Sequence, residues 1–118
     1  MSTLIQKKFL VTFSIPLATM MDWGKTDAAT REASEKDLKA KWDKWSLAHA
    51  SMLLTTDAAG KTKNVTTQGV QDTRNDFVVC STVTGESQEA VAEIFKNHPH
   101  LEIPTASIQV MALNPMSW

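Results

Sequence analysis

The chain has 118 residues, 42% hydrophobic and 21% charged, and its 12 Lys and Arg against 13 Asp and Glu leave a net charge of −1. That length sets a single domain over 1–118 as the expectation, able to bury roughly two-thirds of its unfolded surface without covalent staples. The near-neutral balance, with no basic stripe, argues against nucleic acid, and no apolar run reaches the roughly 18 residues of a membrane span. Cys80 is the lone cysteine, which excludes an intrachain disulfide and a Cys-based zinc site and fits a reducing, cytoplasmic setting.

Met1 to Gln6 reads as a loose tail. Lys7-Lys8 and the apolar run from Phe9 to Met21 resemble the opening of a secretory leader. Thr12, Ser14 and Pro16 interrupt that run, however, and no small-x-small cleavage site follows. Lys8 to Ile15 instead alternates Phe9, Val11, Phe13 and Ile15 with Leu10, Thr12 and Ser14, the period of a strand. Pro16 ends it, having no N–H for a ladder. Leu17 to Thr26 reads as a connection with Asp22-Trp23-Gly24 as its turn. Asp27 to Ala33 has helix-forming composition but no large apolar residue. Ser34 to Asp37 supplies a helix start, with Ser at the N-cap and acids in the first turn. Leu38, Trp42, Trp45 and Met52 then form an apolar stripe, and Lys36, Lys39, Lys41 and Lys44 form its solvated face. Met52-Leu53-Leu54 reads as buried but is too short to classify, and Asp57 to Gly60 reads as a turn. Lys61 to Gln68 reads as an edge-like strand. Gly69 to Arg74 is the loop of a hairpin into the next strand.

The strongest signal runs from Asn75 to Leu113. Asn75 to Val83 alternates with period 2, and Gly85-Glu86-Ser87 breaks it. Ser87 to Asn97 places Val91, Ile94, Phe95 and His98 at i, i+3, i+4 and i+7. His98-Pro99 stops that helix, and Ser107 to Leu113 alternates again. Cys80, between valines and threonines, reads as a small core residue.

Four strands and two helices in this order predict an α+β fold: a ferredoxin-like βαββαβ plan, a four-stranded antiparallel sheet with both helices on one face. The strands carry apolar side chains on both faces. One face takes Phe9, Val11, Phe13, Phe77, Val79, Val83, Ile108, Val110 and Ala112. The other takes Leu10, Thr12, Val78, Cys80, Thr82, Gln109, Met111 and Leu113. A solvated sheet face should be cleanly polar, so the second set predicts a homodimer paired through the sheet.

Several short runs, in this order and spacing, resemble the YCII-related family. They are Gly60-Lys61-Thr62-Lys63-Asn64-Val65, Gly69-Val70, Asn75-Asp76, the stretch Ala92 to Leu101, and Ser107 to Met111. Trp42-x-x-Trp45 is similar to members of the same branch. The likeness covers Phe9 to Met116. It implies a ferredoxin-like protomer paired face to face as a dimeric α/β barrel. Some similar proteins act on small ring lactones, and the wider superfamily includes monooxygenases and isomerases. An early histidine-aspartate pair proposed as catalytic in parts of the family has no counterpart, because the first histidine here is His49.

There is no glycine-rich nucleotide loop, zinc-protease or serine-hydrolase motif, and no cofactor is expected. Gly60-Lys61-Thr62 resembles a phosphate loop only superficially. Asn64-Val65-Thr66 is a glycosylation sequon without meaning in a cytoplasmic protein. Trp42 and Trp45 read either as core or as the wall of a ligand cleft. His98-Pro99-His100 reads as a helix stop, with a cleft role as the alternative; His100, past the helix, is the candidate acid or base. No third ligand accompanies the pair, so no metal is expected. Asn75 and Asp76 either cap the hairpin loop or line the cleft mouth. The candidate ligand-binding set is therefore Trp42, Trp45, Asn75, His98 and His100. Two functional classes follow: a protein binding a small organic molecule between sheet and helices, with isomerase- or monooxygenase-like chemistry as the family's suggestion, or a non-catalytic dimeric assembly or regulatory module.

Overall fold

The computed structural model describes residues 6–116, so the expected tail lies outside them apart from Gln6, which takes no regular structure. The main sheet is antiparallel, with strands β1 (Lys7–Ser14), β2 (Leu53–Ala58), β5 (Phe77–Gly85) and β6 (Ser107–Leu113) in the order β2-β5-β1-β6. A separate hairpin pairs β3 (Thr62–Thr66) with β4 (Gly69–Thr73). The helices are α1 (Leu17–Gly24), α2 (Ala28–Ala48) and α3 (Gln88–Phe95), and a short 3-10 turn covers Pro99–Glu102. The strand order is compatible with the ferredoxin-like plan.

Four elements differ from the sequence reading. The segment after Pro16 is a helix, because proline's fixed φ (−58° here) suits the entry to a helical turn as well as the end of a strand. Helix α2 starts at Asp27, not Ser34: the Asp27 carboxylate accepts from the Thr30 N–H at 3.0 Å and from its hydroxyl at 2.7 Å. That double bond supplies a cap, and the Ala-rich turn after it needs no apolar face to stay helical. The second strand of the main sheet is Leu53–Ala58, an edge strand that includes Asp57 and Ala58 of the expected turn and leaves Leu54 exposed rather than buried. Lys61 to Gln68 pairs instead with Gly69–Thr73, across a tight turn in which Gly69 sits at φ +129°, where a side chain would be strained.

Phe9, Val11, Phe13, Val83, Val91 and Phe95 form the buried core between sheet and helices. Ser87 caps α3 by accepting from the Ala90 N–H at 3.1 Å. Val91 and Phe95, one turn apart, face the sheet while Ile94 stays exposed. Gly85 lets α3 approach β5, since a Cβ there would overlap the side chain of Val91.

Cross-strand register assigns the other face. Thr12 pairs with Cys80 and Gln109, Leu10 with Thr82 and Met111, and Lys8 with Thr84 and Leu113. Cys80 therefore stands on the open face, half-buried, and not in the core. A bulge at the end of β1 pairs Ser14 with Phe77. It turns Phe77 to the open face and Val78 against the core, exchanging the sides that strict alternation gives them.

The molecule measures 57 × 44 × 19 Å with a radius of gyration of 16.9 Å, against the roughly 13–14 Å usual for this length. Its accessible surface is 8777 Å², whereas a compact monomer of this mass exposes roughly 6,300 Å². The hairpin contributes to that excess: Val65 and Val70 pair near its tip, 72% and 65% exposed. Among the described residues no helix is long and apolar enough to cross a membrane.

Candidate functional site

All three histidines gather in one aromatic cluster between α2, the 3-10 turn and β1. The stop signal at Pro99 folds the chain so that His98 and His100 both turn inward, 2% and 1% exposed. The His98 ring lies 4.4 Å from both Trp42 and Trp45 and 5.0 Å from Phe13. His49 stacks on Trp45 at 4.1 Å, and Phe95 lies 4.9 Å from Trp45. The two tryptophans, three apart on α2, present one face to this cluster and remain partly buried.

Hydrogen bonds fix the two inner rings. His98 Nδ1 accepts the His100 backbone N–H at 2.9 Å, so its proton sits on Nε2. His100 donates from Nε2 to the Ser14 carbonyl at 3.0 Å, leaving Nδ1 buried without a partner among the described residues. Burial lowers the His98 pKa to about 4, helped by the nearby His100 and His49. Burial also lowers the pKa of His100, against the opposing pull of the Ser14 and Ser107 carbonyls, of which only Ser14 makes a hydrogen bond. Both rings are neutral at physiological pH. Packed on every side by aromatic groups, the cluster has the architecture of a clamp: His100 holds the end of β1 against the 3-10 turn. Among the described residues no three His, Cys, Asp or Glu side chains gather as a metal site.

The fifth predicted residue lies elsewhere. Asn75 accepts the Phe77 N–H at 2.9 Å and donates to the Thr62 hydroxyl at 3.1 Å, capping the strand and tying the hairpin to it. It also lines a cleft of about 510 Å³, with Ser14, Pro16, Arg74, Asp76, Phe77, Ser107 and Gln109. Asn75 thus caps the strand, and the cleft it lines is not the expected one between sheet and helices. The cleft sits where β1, β5 and β6 meet at the edge of the open face, and Ser14 separates it from His100. Arg74 offers a forked cation, Asp76 a carboxylate, and Asn75 and Gln109 amides, over the ring of Phe77. That set suits a small polar organic molecule with an aromatic or alicyclic body. Sequence reasoning passed over Arg74, Ser107 and Gln109 as loop and strand residues. The only signal for them was their place beside the Asn75-Asp76 pair and at the ends of alternating strands. A smaller groove of about 230 Å³ runs between α3 and β6.

No family model matches the chain, and no curated protein matches it.

Proposed function

We propose that the chain is a homodimeric, YCII-related protein that binds a small organic molecule in the cleft between the ends of β1, β5 and β6. The observation that carries this reading is the convergence of Arg74, Asn75, Asp76, Ser107 and Gln109 around Phe77 in about 510 Å³, the size range of ligand sites. Ligand binding moves from the space between sheet and helices, which the histidine cluster fills, to the strand ends. Trp42, Trp45, His98 and His100 then act as scaffold, with His100 positioning Ser14 on the cleft wall. The isomerase- or monooxygenase-like activity suggested by the resemblance would fall to Asp76, the carboxylate of the cleft.

Pairing through the open sheet face as a dimeric α/β barrel is part of this reading. So are the ferredoxin-like plan, with the β3–β4 hairpin as an insertion, and a cytoplasmic setting. The apolar side chains of Leu10, Met111 and Leu113 on the open face support the pairing. A thermal-shift screen of small organic acids, lactones and amides tests the cleft. A compound that raises the melting temperature of the native protein but not of Arg74→Ala supports it; shifts that are equal in both proteins contradict it. The projecting hairpin favours the second reading, a dimeric assembly module, and that reading stands if no compound binds while the dimer persists.

A further inference from the structure

Opposite charges that come close on this surface pair with one another. Lys39 holds Asp43, Lys41 bridges Asp37 and Glu102, Lys63 holds Asp72, and Lys96 holds Glu93. Arg74 and Asp76 depart from that habit. They stand two residues apart and line the same cleft. Yet among the described residues neither makes an ion pair, with the other or with any other group. The backbone between them is pinned from both sides. The Asn75 side chain accepts the Phe77 N–H at 2.9 Å and donates to the Thr62 hydroxyl at 3.1 Å. The Asp76 carbonyl accepts the Ile15 N–H at 2.9 Å. One cation and one anion are thereby presented separately to the cleft.

Resting on the cleft reading above, we infer that the ligand is a small zwitterion, an α-amino acid with an aromatic or alicyclic side chain, its carboxylate at Arg74 and its ammonium at Asp76. The guanidinium presents a fork of N–H donors that matches a carboxylate, and the Asp76 carboxylate offers two acceptor oxygens to an ammonium. Spacing limits the ligand's length. Two Cα steps keep the Arg74 and Asp76 backbones within about 7.6 Å of each other. The ligand's own charges must then lie close together, as they do on the α-carbon of an amino acid. Phe77, next in the chain and 39% exposed, provides apolar surface for the side chain. Ser107 and Gln109, across β1, add uncharged hydrogen-bonding groups. A ligand with a single charge leaves one of the two protein charges unanswered, whereas a zwitterion answers both.

The test uses three probes of similar shape: phenylalanine, phenylpropionate, which lacks the ammonium, and phenethylamine, which lacks the carboxylate. Each is titrated at neutral pH and constant, low ionic strength into the isotope-labelled full-length protein, and its affinity is read from backbone amide shifts. Phenylalanine should move the resonances of Phe77 and Gln109. It should bind about three- to tenfold more tightly than either analogue, the range of one charge pair at an open site. Asp76→Asn should abolish its advantage over phenylpropionate, and Arg74→Gln its advantage over phenethylamine. Both side chains are exposed, so neither change disturbs the fold. Equal binding of phenylpropionate at these resonances overturns the inference in favour of an anion site, and equal binding of phenethylamine in favour of a cation site. Either result leaves the cleft itself standing. A preference that survives both substitutions also overturns it, because other groups then make it. If none of the three probes moves these resonances, the zwitterion is overturned, and the cleft reading falls with it only where the thermal-shift screen is silent as well.

Discussion

His98 is buried neutral, and its stability contribution has a definite sign. Its folded pKa of about 4 lies below the unfolded value of 6.5, so the unfolded chain binds the extra proton. The contribution is complete above about pH 6.5 and is lost as pH falls towards 4. A tenfold difference in proton affinity between folded and unfolded chain is worth roughly 1.4 kcal/mol, so up to about 3 kcal/mol should vanish across that window. Urea unfolding at a series of pH values measures it, and His98→Phe should flatten the profile; an unaltered slope in the variant would place the acid sensitivity elsewhere. Trp45 is packed against His49, Phe95 and His98. Trp45→Ala should cost about 3 kcal/mol, the low end of the range for such truncations because the ring is only partly buried. Affinity for any compound that the proposed Arg74 cleft binds should remain within a few-fold. Thr12→Val removes, at nearly constant volume, a buried hydroxyl without a hydrogen-bond partner among the described residues. It should leave stability unchanged or raise it by about 1 kcal/mol in a denaturant titration; a clear loss would show that the hydroxyl already has a partner.

Among the junctions between elements, Gly85 is the most constrained. A methyl group there overlaps Val91, which is fully buried and has no space to yield. Gly85→Ala should therefore destabilise by about 1–3 kcal/mol, as overpacking does, with α3 displaced from β5; calorimetry against the parent protein decides it. The sequence reveals Gly85 as a breaker through its place between a period-2 and a 3.6-period run, but the contact with Val91 is tertiary and leaves no local mark. The same division runs through the rest of the fold. Strands β1, β5 and β6 and helix α3 are legible because their apolar residues repeat at the right period. Helix α1 is not, since Leu17, Met20 and Met21 all stay exposed and show no buried stripe. The start of α2 escapes a pattern-based reading because Asp27 and Thr30 make a cap with no apolar face behind it. The exchange of Phe77 and Val78 depends on a bulge that no alternation pattern predicts. The histidine pair stands out in the sequence as chemistry, and the fold packs it among aromatics. The cleft residues Arg74, Ser107 and Gln109 converge from two distant segments, a convergence that only the sheet register creates.

The whole molecule is a 19 Å thick slab with one covered face, carrying Leu10, Thr12, Met111 and Leu113 on the other. The proposed pairing would cover that second face with another copy of the chain. Light scattering on the untagged chain and on Met111→Lys is the direct test of this pairing. Met111 is 40% exposed in the single chain, so a lysine there leaves the fold intact but places a charge in the proposed interface, where desolvating it costs several kcal/mol. The expected mass is about 26 kDa for the parent, twice the 13.0 kDa of the chain, and that of a folded monomer for the variant. A parent that is monomeric at micromolar concentration, or a variant that stays dimeric, would contradict pairing through this face.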